Sequence, residues 1–174
     1  NTLERQAASC LPALLPALDS FIVTGKFTTE NISDSLESED DVDYKIPQRL
    51  LEKAKELKRL AGSLPDDDPK LAHLIHIVSE TLKNKGAGKI LIFSYFLHTL
   101  SYLEKNLQQR GYRVSVISGQ VDDDAREEIR ERFRLGKENE NTIDVLLSSE
   151  VGCEGLDYEF CNRLVNYDIP WNPM

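Results

Sequence analysis

From Lys89 onward, short apolar runs alternate with helix-length amphipathic segments, and this rhythm restricts the fold more than any other feature of the sequence. Ile90-Leu91-Ile92-Phe93 is a continuous apolar run, the pattern of a parallel strand covered on both faces. Leu100, Leu103 and Leu107 mark one face of a helix that Gly111 ends. Val114-Ser115-Val116-Ile117 predicts a second strand, and Asp122 can cap a helix carrying Ile129 and Phe133. Ile143 to Leu147 predicts a third strand and Leu164-Val165-Asn166-Tyr167 a fourth. Strands separated by helices of this length imply right-handed crossovers and an α/β fold with a parallel sheet. Such sheets bind ligands at the carboxyl ends of their strands. Here those ends are Ser94, Ser118, Ser148 and Asp168.

The first half of the chain is organised differently. Leu50, Leu51, Ala54, Leu57, Leu60 and Ala61 recur with helical spacing over 48–61, stopped by Gly62. Asp68-Pro69 is a helix start, a capping carboxylate followed by proline at the first helical position. Leu71, Leu74, Ile75, Val78 and Leu82 then form one face, and Gly86 supplies the stop. Over 1–25 the residues Leu3, Leu11, Leu14, Leu15, Leu18, Phe21 and Ile22 are apolar, but Pro12 and Pro16 interrupt any long helix. Between these regions, Lys26 to Tyr44 carries seven carboxylates against one lysine. Such a stretch buries too little apolar area to offset its ordering entropy, so a disordered linker is expected.

Composition narrows the functional classes. With 174 residues, the chain can hold one ordinary domain and an appendage. A formal net charge of -9 has the wrong sign for binding nucleic acid by bulk electrostatics, so any such contact must be local or lent by a partner domain. Cys10, Cys153 and Cys161 are odd in number and lack C-x-x-C spacing, which argues against a disulfide framework or zinc knuckle and for a reducing compartment. No apolar run reaches the roughly 20 residues of a membrane-spanning helix, and no signal-peptide pattern opens the chain, so neither is expected.

The stretch Ser148-Ser149-Glu150-Val151-Gly152-Cys153-Glu154-Gly155-Leu156-Asp157 follows directly on a buried strand. Hydroxyls and amides at a strand end can meet phosphate oxygens, glycines allow close backbone approach, and a carboxylate can accept from a ribose hydroxyl. On spacing alone, a polar βα loop with two turn glycines is the favoured reading. Gly86-Ala87-Gly88-Lys89 is a decoy for a phosphate-binding loop. Lys83 stands where the motif needs glycine, Ile90 where it needs Ser or Thr, and Lys89 precedes a strand rather than a helix. His73 and His76 are three apart on a helix without an accompanying acid or cysteine cluster, so no metal site is expected. His98 reads as a helix-start residue, Cys153 as a small loop filler, and the acidic run as a solvated linker.

Several segments, in order, resemble superfamily-two helicases of the Swi/Snf type. Ser149-x-x-Gly152-x-x-Gly155-Leu156-Asp157 is similar to motif V. Gly119, Arg126 and Phe133 resemble the G-x6-R-x6-F signature upstream of it. Lys89 to Phe96 resembles motif IV, and Val165-Asn166-Tyr167-Asp168-Ile169-Pro170-Trp171-Asn172-Pro173 resembles the segment leading into motif VI. The resemblance covers 70–174, and its motif V wording is closest to the bacterial branch that includes the RNA-polymerase-associated recycling ATPase. Glu150 departs from the pattern, standing where many remodellers carry arginine, and Met174 falls before the position of motif VI.

The resemblance implies a three-layer RecA-like domain of P-loop NTPase type with an N-terminal helical and linker extension. It divides the chain into an apolar segment of the preceding lobe (1–25), an acidic linker (26–47) and a C-terminal lobe (48–174). It implies that Gly155 and Asp157 face a nucleotide, and that Ser94, Gly119, Ser149 and Arg126 serve the nucleic-acid backbone, although Arg126 could equally make an internal ion pair. ATP and Mg²⁺ would act in the full-length protein together with an N-terminal RecA-like lobe, leaving the fragment alone inactive. Expected partners are nucleic acid, foremost double-stranded DNA, and RNA polymerase or another DNA-bound protein, in a bacterial, nucleoid-associated cytoplasmic setting. The rival reading is a RecA-like protein-interaction domain without nucleotide function, which the negative charge favours.

Overall fold

The computed structural model describes residues 2–25, 47–63, 67–83, 88–150, 152 and 160–168. Gly155, Asp157, Cys153, positions 26–46 of the expected linker and the Trp171-Asn172-Pro173 stretch lie outside the described residues.

Four helices precede the sheet. They are α1 (Thr2–Ser9), α2 (Leu14–Thr24), α3 (Gln48–Gly62) and α4 (Pro69–Lys83). Pro12 sits in the break between α1 and α2. Pro16 is absorbed into the first turn of α2, where its missing amide has no intrahelical partner to lose. Gly25 ends α2 at φ 71°, its N–H reaching the Phe21 carbonyl at 2.8 Å. Asp68 caps α4 as its position suggests, with Oδ1 accepting from the Leu71 N–H at 3.0 Å.

Strand and helix then alternate: β1 (Ile90–Phe93), α5 (Leu97–Gln108), β2 (Val114–Ile117), α6 (Asp123–Arg134), β3 (Val145–Ser148) and β4 (Leu164–Asn166). All pairings are parallel, in the order β2-β3-β1-β4. The expected α/β parallel sheet is present. β3 begins two residues later than its apolar run: the Ile143 N–H is bonded to the Arg132 carbonyl, and the first rung to β2 is the Val145 N–H to the Arg113 carbonyl. β4 ends one residue earlier, although the Tyr167 N–H still reaches the Phe93 carbonyl at 2.8 Å.

The pleat divides the strand residues between two cores. Ile90, Ile92, Val145 and Leu147 face Leu71, Leu74 and Val78 of α4 and Leu100, Leu103 and Leu107 of α5. Leu91 and Leu146 face the other way, with Ile117, Ile143 and Phe133 of α6. This is a helix–sheet–helix sandwich of three layers. The N-terminal segment joins it. Cys10 and Ala13 enter the α4–α5 core, while Leu14, Leu18 and Phe21 close on Ala54 of α3.

Candidate functional site

The register aligns Phe93 and Ile117 with Ser148, and Phe93 with Asn166, so the strands end together. Ser118, Ser149, Ser94 and Tyr167-Asp168 therefore follow one another across the carboxyl edge at strand spacings of about 4.8 Å. Four of the six sequence-predicted site residues, Ser94, Gly119, Ser149 and Arg126, belong to loops or the helix start along this edge.

Each has a defined local job. Ser149 is buried; its N–H bonds the Ile117 carbonyl at 3.0 Å, and its Oγ accepts from the Gly152 N–H at 3.1 Å. Gly152 lies so close to β2 that an added Cβ would stand 2.5 Å from the Ile117 carbonyl oxygen. Its close approach is to the protein's own backbone. Ser94 is only 2% exposed, its Oγ donating to Asp168 Oδ2 at 2.6 Å and accepting from the Phe96 N–H at 3.3 Å. The Tyr95 N–H donates to the same Asp168 oxygen at 2.8 Å. Gly119 is exposed in the tight turn that carries Ser118 toward α6.

Arg126, near the start of α6, bonds main-chain carbonyls of the preceding loop. Its Nε donates to the Val121 carbonyl at 2.9 Å and its Nη2 to the Ser118 carbonyl at 3.2 Å. The guanidinium thus braces the β2–α6 loop through main-chain carbonyls, and no carboxylate ion pair to it is present among the described residues. Asp122 caps α6 as expected, accepting from the Ala125 N–H at 2.9 Å.

Lys89 belongs to the opposite, amino edge. Its ammonium is buried, donating to Thr142 Oγ1 at 2.6 Å and to the Ile143 carbonyl, and burial pushes its pKa down. This is a structural lysine, as its position before a strand requires. His73 and His76 are exposed on α4. Among the described residues, no group of three or more His, Cys, Asp or Glu side chains is placed to hold a metal ion. Burial pushes the Cys10 thiol up to about 11 and holds His98 below the ordinary histidine range.

Sequence reasoning placed Asp168 at a strand end and in the segment leading toward motif VI, gave it no site role, and missed Lys70. Asp168 ties β4 to the β1–α5 loop, and Lys70 Nζ stands 4.0 Å from its second oxygen. The carboxylate beside Tyr167 at a strand terminus was a visible signal, whereas Lys70, nearly a hundred residues upstream, is brought to the site only by the fold.

A parallel sheet sandwiched by helices, with its polar loops gathered at the carboxyl edge, defines a RecA-like α/β domain. Two solved helicase-related structures share this fold. The Pyrococcus furiosus Hef helicase domain superposes with a TM-score of 0.52 at 23% identity, covering 90% of this chain and 29% of that one. The C-terminal part of the Fun30 ATPase domain gives a TM-score of 0.52 at 15% identity, covering 99% and 74%.

The chain belongs to the helicase conserved C-terminal domain family, which matches residues 69–174. Similar curated proteins include "Uncharacterized ATP-dependent helicase YqhH" of Bacillus subtilis, 32% identical over 119 residues, spanning 62% of this chain and 20% of that protein. "ATP-dependent RNA helicase RhlB" of Xanthomonas oryzae pv. oryzae is 30% identical over 111 residues, with 62% and 17% covered. "DEAD-box ATP-dependent RNA helicase 24" of Oryza sativa subsp. japonica is 27% identical over 114 residues, with 66% and 14% covered. The chain spans a fifth or less of the length of these relatives. The expectation of a superfamily-two helicase C-terminal domain is met at this level.

Proposed function

We propose that this chain is the second motor lobe of an ATP-dependent nucleic-acid translocase or helicase, built from a lobe at 48–174, a linker over 26–47 and a segment at 1–25 that leads in from the preceding lobe and packs on this one. The observation that carries the reading is the carboxyl edge. There the Ser94 N–H bonds the Ser148 carbonyl and its Oγ bonds Asp168, the Ser149 N–H bonds the Ile117 carbonyl, and Arg126 of α6 braces the Gly119 turn through the Ser118 and Val121 carbonyls. Such an edge can present main-chain amides and small side chains to phosphates, contacts that position a strand without reading its sequence.

Gly119 offers the exposed turn for that contact. Ser94 and Ser149, with hydroxyls engaged inside the protein, hold the flanking loops, and Arg126 fixes the turn that carries Gly119. Gly155 and Asp157 face the nucleotide, with Asp157 accepting from a ribose hydroxyl or an arginine. ATP is hydrolysed between this lobe and an N-terminal RecA-like lobe, which supplies the phosphate-binding loop and the Mg²⁺ site. No such loop occurs in the 174 residues.

The Asp168-Ile169-Pro170-Trp171-Asn172-Pro173 wording supports a Swi/Snf-type motor. It favours double-stranded DNA as the track, with RNA polymerase or another DNA-bound protein as the cargo, in a nucleoid-associated cytoplasmic setting. Relatives named as RNA helicases favour a second reading, in which the track is RNA. ATP turnover by the protein that joins this chain to its first lobe decides between them. Stimulation by duplex DNA above duplex RNA, with no turnover by this chain alone, is expected. Preferential stimulation by RNA selects the second reading. No turnover with either would return the chain to the class of protein-interaction domains.

A further inference from the structure

We propose that Asp168 and Lys70 form a positioning brace that fixes the Ser94–Tyr95 loop at the nucleic-acid-binding edge and links that loop to the N-terminal helices. The brace rests on the motor-lobe reading above.

The geometry is a chain of contacts running from α1 to the strand ends. Asp168 Oδ2 accepts two bonds from the β1–α5 loop, from Ser94 Oγ at 2.6 Å and from the Tyr95 N–H at 2.8 Å. These take up the hydroxyl proton of Ser94 and the amide of Tyr95, so the loop's position depends on one carboxylate. Asp168 Oδ1 is buried and has no hydrogen-bond partner among the described residues. The nearest described cation is Lys70, whose Nζ lies 4.0 Å away. A buried carboxylate oxygen is costly without compensation, and an ammonium at that distance supplies it.

Lys70 is itself held in place. Its Nζ donates to the Ser9 carbonyl at 2.7 Å and sits 4.0 Å from the centre of the Tyr167 ring. Ser9 is the last residue of α1, and its hydroxyl pairs with Thr99 Oγ1 of α5 at 3.0 Å. The end of α1, the start of α4, the start of α5 and the end of β4 thus converge on one ammonium and one carboxylate. Asp168 acts through Ser94 and Tyr95, and is therefore a positioning residue rather than a contact residue.

The test uses fluorescently labelled duplex DNA and duplex RNA as probes, with binding read by anisotropy. Asp168→Ala is expected to weaken binding of the preferred duplex roughly ten-fold, the worth of one charge-assisted hydrogen bond. It should also accelerate amide exchange at Tyr95 selectively. The double variant Asp168→Ala/Ser94→Ala should bind no worse than the weaker single variant, because both act on one loop. If Asp168→Ala fails to fold, Asp168→Asn and Lys70→Met carry the same expectations with a smaller loss. Faster Tyr95 exchange with unchanged duplex affinity overturns the brace while leaving the motor-lobe reading standing. Additive losses in the double variant do the same. Failure of the unsubstituted protein to bind either duplex overturns both.

Discussion

A methyl group on Gly152 would stand 2.5 Å from the Ile117 carbonyl oxygen and 2.8 Å from the Ile117 carbonyl carbon. Both are backbone atoms of a buried strand end, so neither can swing aside. Gly152→Ala should cost about 1–3 kcal/mol, the range for overpacking a tight site. A urea titration checks this, and a midpoint unchanged from the parent would show that the loop relaxes freely. Single residues also show where reading the chain stops. The glycine spacing at 152 and 155 was plain, but the object approached by Gly152 was not, since β2 lies more than thirty residues upstream. Asp122 was legible because a cap is a local device, completed three residues later at Ala125. Asp168 was half legible: its strand end could be placed, whereas its partners Ser94 and Lys70 are joined to it only by the fold.

At the scale of elements, the strands and the helices between them followed from apolar runs and 3.6-residue spacing, with boundaries moving by one or two residues. Those movements have physical causes, as at β3, where the Ile143 N–H bonds the Arg132 carbonyl and the ladder opens only at Val145. The N-terminal helices are a different case. Their apolar residues suggested a piece of a neighbouring lobe, but periodicity cannot say which surface an apolar face will meet. Here α2 packs on α3, with Leu18 1% exposed between Leu14, Phe21 and Ala54. Leu18→Ala should therefore destabilise this helix pair by about 2–4 kcal/mol, as buried leucine truncations do. Hydrogen exchange along α3 reads the effect directly. Unaltered α3 protection would assign the segment 1–25 to another partner and restore its independence from this lobe.

The sheet order β2-β3-β1-β4 belongs to the whole molecule and was not legible. Parallel pairing and the strand ends followed from the alternation, but placing β3 between β2 and β1 requires long-range contacts that no local pattern encodes. The consequence is functional, because this order sets Ser118, Ser149, Ser94 and Asp168 side by side on one edge. It also separates them from the amino edge, where Lys89, Arg113 and Asp144 are tied into structural bonds. Arg113 and Asp144 form a two-pronged pair at 2.7 and 2.9 Å, and Lys89 holds Thr142. With a net charge of -9, any binding of a polyanion must be local, and the motor-lobe proposal puts it at the carboxyl edge. The most direct test is to titrate the preferred duplex into the isotopically labelled protein and follow backbone amide resonances. Shifts at Tyr95, Gly119, Gln120 and Glu150, with Gly88, Lys137 and Asn139 unmoved, are expected. Shifts confined to Gly88, Lys137 and Asn139 would contradict the assignment of the carboxyl edge as the working surface.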